Sequence, residues 1–420
     1  MRKSLIALAL AGTVALTACG NGTAEPTDTP TADETTPAAE PTDDATDEAP
    51  PAAEGSLTMW TDETRIAAFQ QLGEAFAAET GVEIDVVQKP TDDVRPDFIS
   101  QAPTGQGPDM IVGAHDWLGG LVQNGVIAPI DLANADDFNP SAVQAFTYEG
   151  NIYGLPYALE NIALVRNNEL LQDTPATFDE LIAQSEGLDV DFPIVIQQGP
   201  EGDAFHLYPL QMSFGAPVFE TDENGDYTTE LGMEGEAGTA FAEYIQQLGQ
   251  DGVLSGDIGG DQAKQAFMDG NTPYMITGPW WTTEFVEAGM DISVLQVPSA
   301  GGETAAPFVG VQGVFVSSYS DNALLANQFI EFLGSKESQD VLYEMGGRAP
   351  ALAASADEID DELLKGFDEA SEGAQPMPAI PEMDAVWSHW GGTQVAIING
   401  TSEDAAAAWQ TMNDNIKANF

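Results

Sequence analysis

The chain has 420 residues, with 69 acidic against 11 basic side chains and a formal net charge of −58. So few cations exclude a nucleic-acid-binding protein, because phosphate binding depends on lysine and arginine, and they also exclude docking on an anionic membrane through a basic patch. The hydrophobic share of 43% is enough for packed cores, and the length suits two or three domains. The single cysteine excludes an internal disulfide and a cysteine-based zinc site.

The N-terminus has the parts of an export signal. Arg2 and Lys3 form a short positive segment, and the apolar run LIALALAGTVAL from Leu5 is shorter than the roughly 20 residues that span a bilayer. The sequence LTACG that follows resembles a bacterial lipoprotein signal, which implies cleavage before Cys19 and lipidation of that cysteine. We predict a signal peptide over 1–18 and a lipid anchor on the outer face of the cell membrane. An ordinary secretory signal with an incidental cysteine is the alternative.

Residues 19–55 are predicted to be a disordered linker between the anchor and the folded domains. After Cys19 this segment holds ten acidic residues and no basic or aromatic ones, and it is rich in threonine, proline and alanine. Such a composition cannot bury enough surface to offset chain entropy, and its charges and prolines keep the chain extended.

From residue 56 onward, strand-like and helix-like segments alternate. The segments at 57–60, 83–87 and 109–113 are predicted strands. Between the first two, apolar residues recur with helical spacing, at Ile66, Phe69, Leu72 and Phe76. This order predicts an open α/β sheet with parallel crossovers, in which a ligand lies at the carboxyl ends of the strands. The segments 60–65 and 114–117 follow those ends and are therefore candidate binding segments.

A second α/β region is predicted between residues 161 and 307. Its predicted elements are strands at 192–196 and 274–276 and a helix at 238–250. A strand at 311–317 and a helix at 322–334 are predicted to return to the first region, and the tail from Asp361 is predicted to be helical. The chain has no internal repeat.

Six segments match one protein family, in the same order along the chain. They are LTMW from Leu57, TGQGPDMIVGAHDWLGG from Thr104, GNIYGLPYALENIAL from Gly150, PYMITGPWW from Pro273, PFVGVQGVFV from Pro307 and MPAIPEMDAVW from Met377. With these segments the chain resembles the extracellular solute-binding proteins of ABC sugar importers, in the maltose/maltodextrin-binding family. The resemblance covers residues 56–420.

The resemblance implies an α/β, two-lobed periplasmic-binding-protein-like fold of type II. Each lobe is then an open α/β sheet, and a hinge of crossing segments lets the lobes close on a ligand. The expected lobes are an N-terminal one of residues 56–159 plus 310–360 and a C-terminal one of residues 160–309 plus 361–420. The crossings are expected near residues 159–161, 308–313 and 358–363.

The family's function is to capture a sugar between the lobes and deliver it to a membrane permease. The resemblance implies a malto-oligosaccharide or a related α-glucoside as ligand, ABC permease subunits as partners and a monomeric binding protein. We expect no catalysis, cofactor or metal. A glycoside hydrolase is the less favoured alternative, since no hydrolase motif is present and the histidines at 115, 206 and 389 have no GxSxG partner.

A sugar presents apolar C–H faces and hydroxyl groups, so its site needs aromatic rings for stacking and planar polar groups for hydrogen bonds. By resemblance, Trp280 and Trp387 are stacking residues, and Phe205 is a third by a looser alignment. Gly113 stands where the maltose-binding branch has an aromatic residue. Trp117, four residues further on, is a candidate to replace that aromatic residue.

Among polar side chains, the resemblance assigns Asp116 and Glu160 as carboxylates that accept sugar hydroxyls. Arg65 falls where the family has a basic residue, and Asp62 is close to it in sequence. Asp203 takes the place of a family glutamate. In so acidic a chain, each carboxylate is also a candidate for an ordinary solvated surface group.

Two departures from the family leave the ligand open. Besides Gly113, Arg95 stands near a position that the maltose-binding branch fills with glutamate. A pocket that lacks one aromatic residue and one acceptor can differ in width or length. Trehalose, a cyclic glucan or another disaccharide or oligosaccharide is therefore an alternative ligand.

A metal-binding importer component is the other class that we consider. Three histidines and one cysteine do not supply a soft-metal site. DENGD from Asp222 resembles a calcium loop but lacks the spacing and terminal glutamate of an EF-hand, and its Asn-Gly pair predicts a hairpin turn instead. An all-oxygen calcium site elsewhere on the acidic surface is left open.

Overall fold

The computed structural model describes residues 55–223 and 226–420. The predicted signal peptide, Cys19 and the linker up to residue 54 lie outside these residues. Within them, no helix is long and apolar enough to cross a membrane.

Strands and helices alternate along the described chain. The strands are β1 Ser56–Thr61, β2 Glu83–Gln88, β3 Met110–Ala114, β4 Ile127–Ala128, β5 Thr147–Tyr148, β6 Asn151–Ile152, β7 Gly154–Asn161, β8 Ala163–Asn167, β9 Val195–Ile196, β10 Phe219–Thr221, β11 Tyr227–Leu231, β12 Tyr274–Thr277, β13 Ile292–Leu295, β14 Phe308–Ser317, β15 Ala349–Pro350 and β16 Gln375–Pro376. The α-helices are α1 Ile66–Thr80, α2 Thr91–Gln101, α3 Leu118–Gln123, α4 Pro140–Ala145, α5 Phe178–Ser185, α6 Ala204–Met212, α7 Gly235–Gln250, α8 Gly260–Met268, α9 Thr282–Glu287, α10 Ala323–Leu333, α11 Lys336–Gly346, α12 Ala353–Ala356, α13 Glu362–Glu369, α14 Met383–Ile398 and α15 Ala405–Lys417. Short 3₁₀ helices are Ala102–Thr104, His115–Trp117, Ala135–Asp137 and Pro279–Trp281.

The first lobe is built on an eight-stranded sheet with the path β15-β7-β14-β3-β1-β2, to which β4 and β16 add by pairing with β14. β1 runs parallel to both β2 and β3, as predicted from the alternation of strands and helices. α1 packs on this sheet through Phe69, Leu72 and Phe76, and Gly81 ends the helix in the left-handed conformation (φ 79°) that glycine tolerates. β14 returns from later in the chain and pairs antiparallel with β3 and β7, which confirms the predicted return.

The second lobe is built on a four-stranded sheet in the order β13-β8-β12-β9. The two lobes have separate hydrophobic cores, one around Phe69 and Phe315 and the other around Phe241 and Trp390. The strand predicted at 192–196 is shorter, Val195–Ile196, because Pro193 has no N–H for a ladder hydrogen bond. The two sheets confirm the mixed α/β, two-lobed fold.

Three segments connect the lobes. β7 in the first sheet is followed by β8 in the second, with only Ile162 between them. β13 leads back to β14, whose Val309 pairs with Asn161 of β7, so the first two connections are neighbours. The third lies between α12 and α13. The lobe boundaries given above stay predictions.

The strands on either side of the predicted Asn-Gly turn, β10 and β11, pair antiparallel, with Thr221 opposite Tyr227. The turn residues 224–225 lie outside the described residues. In the part of the chain that the structure describes, no group of three or more His, Cys, Asp and Glu residues is arranged to hold a metal ion.

Candidate functional site

The candidate residues lie where strands of the two sheets end. Asp62 directly follows β1, and Asp116 and Trp117 belong to the 3₁₀ helix that follows β3. In the second lobe, Trp280 belongs to the 3₁₀ helix that follows β12. Glu160 is near the end of β7, next to the connection between the lobes. The chain therefore brings strand ends from both lobes to one region, as expected for a ligand site in an open α/β sheet.

Each of two tryptophans covers a glycine at a strand end. A methyl group added at Gly113 would overlap the ring of Trp117, and one added at Gly278 would overlap the ring of Trp280. The indole of Trp117 therefore occupies the space that a side chain at position 113 would need. This placement supports the prediction that Trp117 replaces the family's aromatic residue.

Asp116 is buried, with 2% of its surface exposed. Its Oδ2 accepts a hydrogen bond of 2.9 Å from Nε1 of Trp387, so two predicted site residues from different segments are in contact. Its Oδ1 has no partner in the described chain. Burial raises the pKa of Asp116 to about 6, while the charge of Arg95 and the hydrogen bond from Trp387 oppose the rise.

Glu160 belongs to a buried ionic network that the sequence did not predict. Its Oε2 accepts from Nε of Arg348 at 2.5 Å, and its Oε1 accepts from Nε2 of Gln312 at 2.5 Å. Arg348 also donates to Oγ1 of Thr64 at 3.1 Å, and its guanidinium lies 5.5 Å from the ring centre of Trp280. With 11 basic residues in the chain, a buried arginine stands out, but no motif connects Arg348 to Glu160.

Asp62 and Arg65 form a buried ion pair. Nε of Arg65 donates to the hydroxyl of Tyr157 at 2.7 Å. Oδ1 of Asp62 accepts from the backbone N–H and the hydroxyl of Thr64, at 2.9 and 2.8 Å. The contact with Tyr157 joins the turn after β1 to β7. Thr64 contacts both Asp62 and Arg348, so it joins the same turn to Arg348.

Asp203 caps the N-terminus of α6. Its Oδ1 accepts from the backbone N–H of His206 at 3.0 Å, and its Oδ2 contacts Nδ1 of His206 at 2.9 Å and accepts from Nε2 of Gln197 at 2.6 Å. Burial alone would raise the pKa of Asp203, but the neighbouring His206 and these hydrogen bonds hold it below its usual range. Phe205, half-buried, lies edge-on to His206 with ring centres 5.4 Å apart.

His115 links two other segments of the chain. Its Nδ1 accepts from the backbone N–H of Val311 at 3.1 Å, so Nε2 carries the proton and donates to the carbonyl of Met377 at 3.1 Å. Burial lowers the pKa of His115 to about 4, which leaves the ring neutral at physiological pH.

Several buried polar atoms in this region have no partner among the described residues. They are Oγ1 of Thr61, Oδ1 of Asp116, Nε2 of His206 and Oγ1 of Thr277. Because buried polar atoms in folded proteins are nearly always hydrogen-bonded, to protein, water or ligand, this group indicates a region built to receive a polar molecule.

The region also holds carboxylates that are not paired with these arginines. Burial raises the pKa of Asp92 on α2, and the charges of Asp203, Asp93, Glu63 and Glu201 raise it further. This excess of carboxylates disfavours an anionic ligand. Elsewhere on α2, Nη1 of Arg95 donates to Oδ1 of Asp384 on α14 at 2.6 Å.

A comparison with known protein families defines the class. Residues 71–370 match the family of bacterial extracellular solute-binding proteins, and the chain belongs to this family. The family and the relatives below are binding proteins, not enzymes.

Individual relatives match over most of their length. The chain is 27% identical to the maltodextrin-binding protein MdxE of Bacillus subtilis (strain 168), over 88% of this chain and 93% of that one. It is 25% identical to a galactooligosaccharide-binding protein of the same organism, over 87% and 91%. Among solved structures, the Thermus thermophilus maltotriose-binding protein bound with maltotriose matches with a TM-score of 0.79 and 28% identity, over 86% of this chain and 99% of that one.

Proposed function

We propose that this protein binds a malto-oligosaccharide or a related α-glucoside between its two lobes and delivers it to an ABC permease. Membership of the solute-binding family and the sugars named for its relatives support this proposal. The observation that carries it is the buried carboxylate of Asp116, which accepts from Trp387 and whose Oδ1 has no partner in the described chain, together with Trp117 and Trp280 at strand ends of the two lobes.

The chemistry of this group suits a neutral sugar. Indole rings stack on the C–H faces of a pyranose, and a carboxylate accepts hydrogen bonds from hydroxyls. The acidic surroundings of Asp92 disfavour a phosphorylated or carboxylated ligand. A carboxylate has about four acceptor sites, so Glu160 and Asp62 retain capacity for a hydroxyl beside their present partners.

Phe205, Arg65 and Asp203 complete the proposed site at its margins. Phe205 is half-buried and lies beside His206. Arg65 and Asp203 are already engaged, by Tyr157 and by His206 respectively, so they hold neighbouring groups in place.

Isothermal titration calorimetry tests the proposal. The purified protein is titrated with maltose, maltotriose, a cyclodextrin and trehalose, and with raffinose as an unrelated control. Binding of an α-glucan without any product after prolonged incubation supports the proposal and selects the ligand. Slow release of a product would instead support a glycoside hydrolase.

A galacto-oligosaccharide is the second candidate ligand. The galactooligosaccharide-binding relative is 25% identical, close to the 27% of the maltodextrin-binding one, so overall similarity does not separate the two sugars. Titration with a galacto-oligosaccharide therefore belongs in the same series. If the galacto-oligosaccharide is the only sugar that gives a binding signal in calorimetry, the α-glucoside proposal is contradicted, whereas the sugar-binding proposal stands.

We propose further that Cys19 carries a lipid that holds the protein at the outer face of the cell membrane. The sequence LTACG supports this proposal, and extracellular location is common to the family. Cys19→Ser should shift the protein from the membrane fraction to the medium while sugar affinity stays the same. Membrane retention of that variant would contradict the lipid anchor.

A further inference from the structure

We propose that His206 contacts the ligand, with its Nε2 hydrogen-bonded to a sugar hydroxyl, and that Asp203 is the residue that positions it. This inference rests on the proposed function and adds a specific group to that site. It changes the role of Asp203, which the sequence predicted as a direct sugar contact.

The contacts of Asp203 fix the tautomer of His206. An ionised carboxylate can only accept, so the 2.9 Å contact between Oδ2 of Asp203 and Nδ1 of His206 places the ring proton on Nδ1. Asp203 is itself held by Nε2 of Gln197 at 2.6 Å. Nε2 is therefore the ring nitrogen that is left for a further hydrogen bond.

That nitrogen is buried and has no partner in the described chain. His206 is 4% exposed, and its Nε2 makes no hydrogen bond. The imidazole lies edge-on between two candidate stacking residues, with its ring centre 5.9 Å from that of Trp280 and 5.4 Å from that of Phe205. A sugar that stacks on Trp280 carries its hydroxyls at the rim of the ring, within reach of a neighbouring acceptor.

The other two histidines of the chain provide internal controls. Both ring nitrogens of His115 are already used, by the backbone of Val311 and of Met377. His389 has Nε2 at 3.4 Å from the side-chain amide of Asn419. Of the three, His206 alone combines burial with an unpartnered ring nitrogen in the described residues.

The first test observes the ring nitrogens directly. Long-range ¹H–¹⁵N NMR spectra of uniformly ¹⁵N-labelled protein resolve the three histidines, before and after saturation with maltotriose. We expect the Nε2 signal of His206 to move the most and the two ring signals of His115 to stay in place. An unmoved His206 signal, at a maltotriose concentration that calorimetry shows to be saturating, would overturn the proposal.

The second test separates contact from positioning by affinity. His206→Phe keeps a ring but removes its nitrogens, and we expect about tenfold weaker maltotriose binding, the effect of one hydrogen bond. Asp203→Asn keeps the helix cap and should weaken binding by less. In the double variant the loss should not exceed that of His206→Phe alone, because Asp203 acts through His206. Losses that multiply would overturn the positioning role.

Two controls keep the result interpretable. His389→Phe should bind maltotriose like the parent protein. If His206→Phe fails to fold, as circular dichroism would show, the NMR test on the unmodified protein still decides the question. Absence of sugar binding by the parent protein overturns the proposed function and this inference together, whereas binding with an unmoved His206 overturns this inference alone.

Discussion

The ends of β3 and β12 use the same local arrangement in two different lobes. In each, a buried strand ends near a glycine, a 3₁₀ helix follows, and a tryptophan of that helix covers the glycine. Gly113 is covered by Trp117, and Gly278 is covered by Trp280. Without a Cβ beneath it, each indole can lie flat against the backbone, so two unrelated sheets present aromatic surface in the same way.

The two ends differ in the charged group beside the ring. Next to Trp117 is Asp116, a buried carboxylate with a raised pKa and one oxygen that has no partner among the described residues. Next to Trp280 is the guanidinium of Arg348, which is bound to Glu160. The first end therefore has an acceptor that titrates near neutral pH, whereas the second has a cation that stays charged. We expect pH to affect the first end and aromatic substitution to affect both.

The largest expected effect is on the stability of the folded protein, and it comes from the raised pKa of Asp116. Its pKa is 3.8 ordinarily and about 6 when folded, a difference worth about 3 kcal/mol. Between pH 3.8 and about 6, the carboxyl of Asp116 has lost its proton in the unfolded chain but keeps it in the folded protein. The free energy of unfolding therefore falls as the pH rises through this range, and it stays lower at higher pH. Asp116→Asn stays neutral and can still accept from Trp387. In urea denaturation without ligand, it should be more stable than the parent protein by up to about 3 kcal/mol at pH 7.5.

The same comparison at pH 3.5 is the check on this prediction. There the carboxyl is protonated in the folded protein and mostly protonated in the unfolded chain, so the stability advantage of Asp116→Asn should largely disappear. An advantage of equal size at both pH values would contradict the raised pKa.

The affinity for sugar should depend on pH for the same reason. A hydroxyl donated to Oδ1 of Asp116 favours the ionised form, so binding should weaken as the pH falls below about 6. At pH 5, about a tenth of the carboxylate is ionised, which predicts roughly tenfold weaker maltotriose binding than at pH 7. Calorimetry at both pH values measures the ratio. The ratio should approach one in Asp116→Asn, and a ratio of ten in that variant would exclude Asp116 as the cause.

Removal of either ring tests whether both strand ends contact the sugar. Trp280→Ala should weaken binding by at least about 1 kcal/mol, the order of an aromatic contact, and Trp117→Ala should have an effect of the same order. Calorimetry of both variants gives the values. Unchanged affinity in Trp280→Ala would remove Trp280 from the site, and unchanged affinity in Trp117→Ala would remove Trp117.

A methyl group on the supporting glycines is a milder change. Gly278→Ala and Gly113→Ala should push the indole away from the strand and weaken binding a few-fold, without loss of the ring. Gly334→Ala, where the nearest atom lies 3.4 Å from the new methyl group, is the matched control. Equal affinities for all three variants would show that the rings do not need this support.

The smallest effect is expected for the ion pair between Arg95 and Asp384. Both side chains are partly exposed, at 19% and 32%, so the pair should contribute less than about 1 kcal/mol to the free energy of sugar binding. Arg95→Gln should weaken sugar binding by up to about fivefold in dilute buffer, and the difference should vanish in 1 M salt. A loss that persists at high salt would indicate a packing role for Arg95 instead.

Much of the fold could be predicted because its signals are local. The spacing of Phe69, Leu72 and Phe76 and the glycine after them define α1 within one stretch of sequence. The return of β14 to the first sheet is a long-range feature, and it was predicted from the order of the segments before the family resemblance was considered. The short β9 shows where apolar content misleads, since Pro193 prevents pairing in a segment that otherwise has strand composition.

The sequence predicted which residues belong to the site better than it predicted which side chains they bind. Trp117 and Asp116 come from one motif, whereas Arg348 and Glu160 are 188 positions apart and no local pattern links them. Asp203 and His206 do carry a local signal, a helix-capping aspartate with histidine three residues later. That signal defines a cap and says nothing about the unpartnered nitrogen, which depends on how α6 packs beside Trp280.

The connection between β7 and β8 has a consequence for motion between the lobes. Only Ile162, which is fully buried, separates two strands that are paired on both sides of it, and Asn161 is paired with Val309 of the neighbouring connection. A rotation of one lobe against the other therefore has to twist paired strands rather than rearrange a loop. Amide hydrogens at 161–163 should exchange slowly with solvent with or without sugar, so the movement would be elastic and would require no local unfolding.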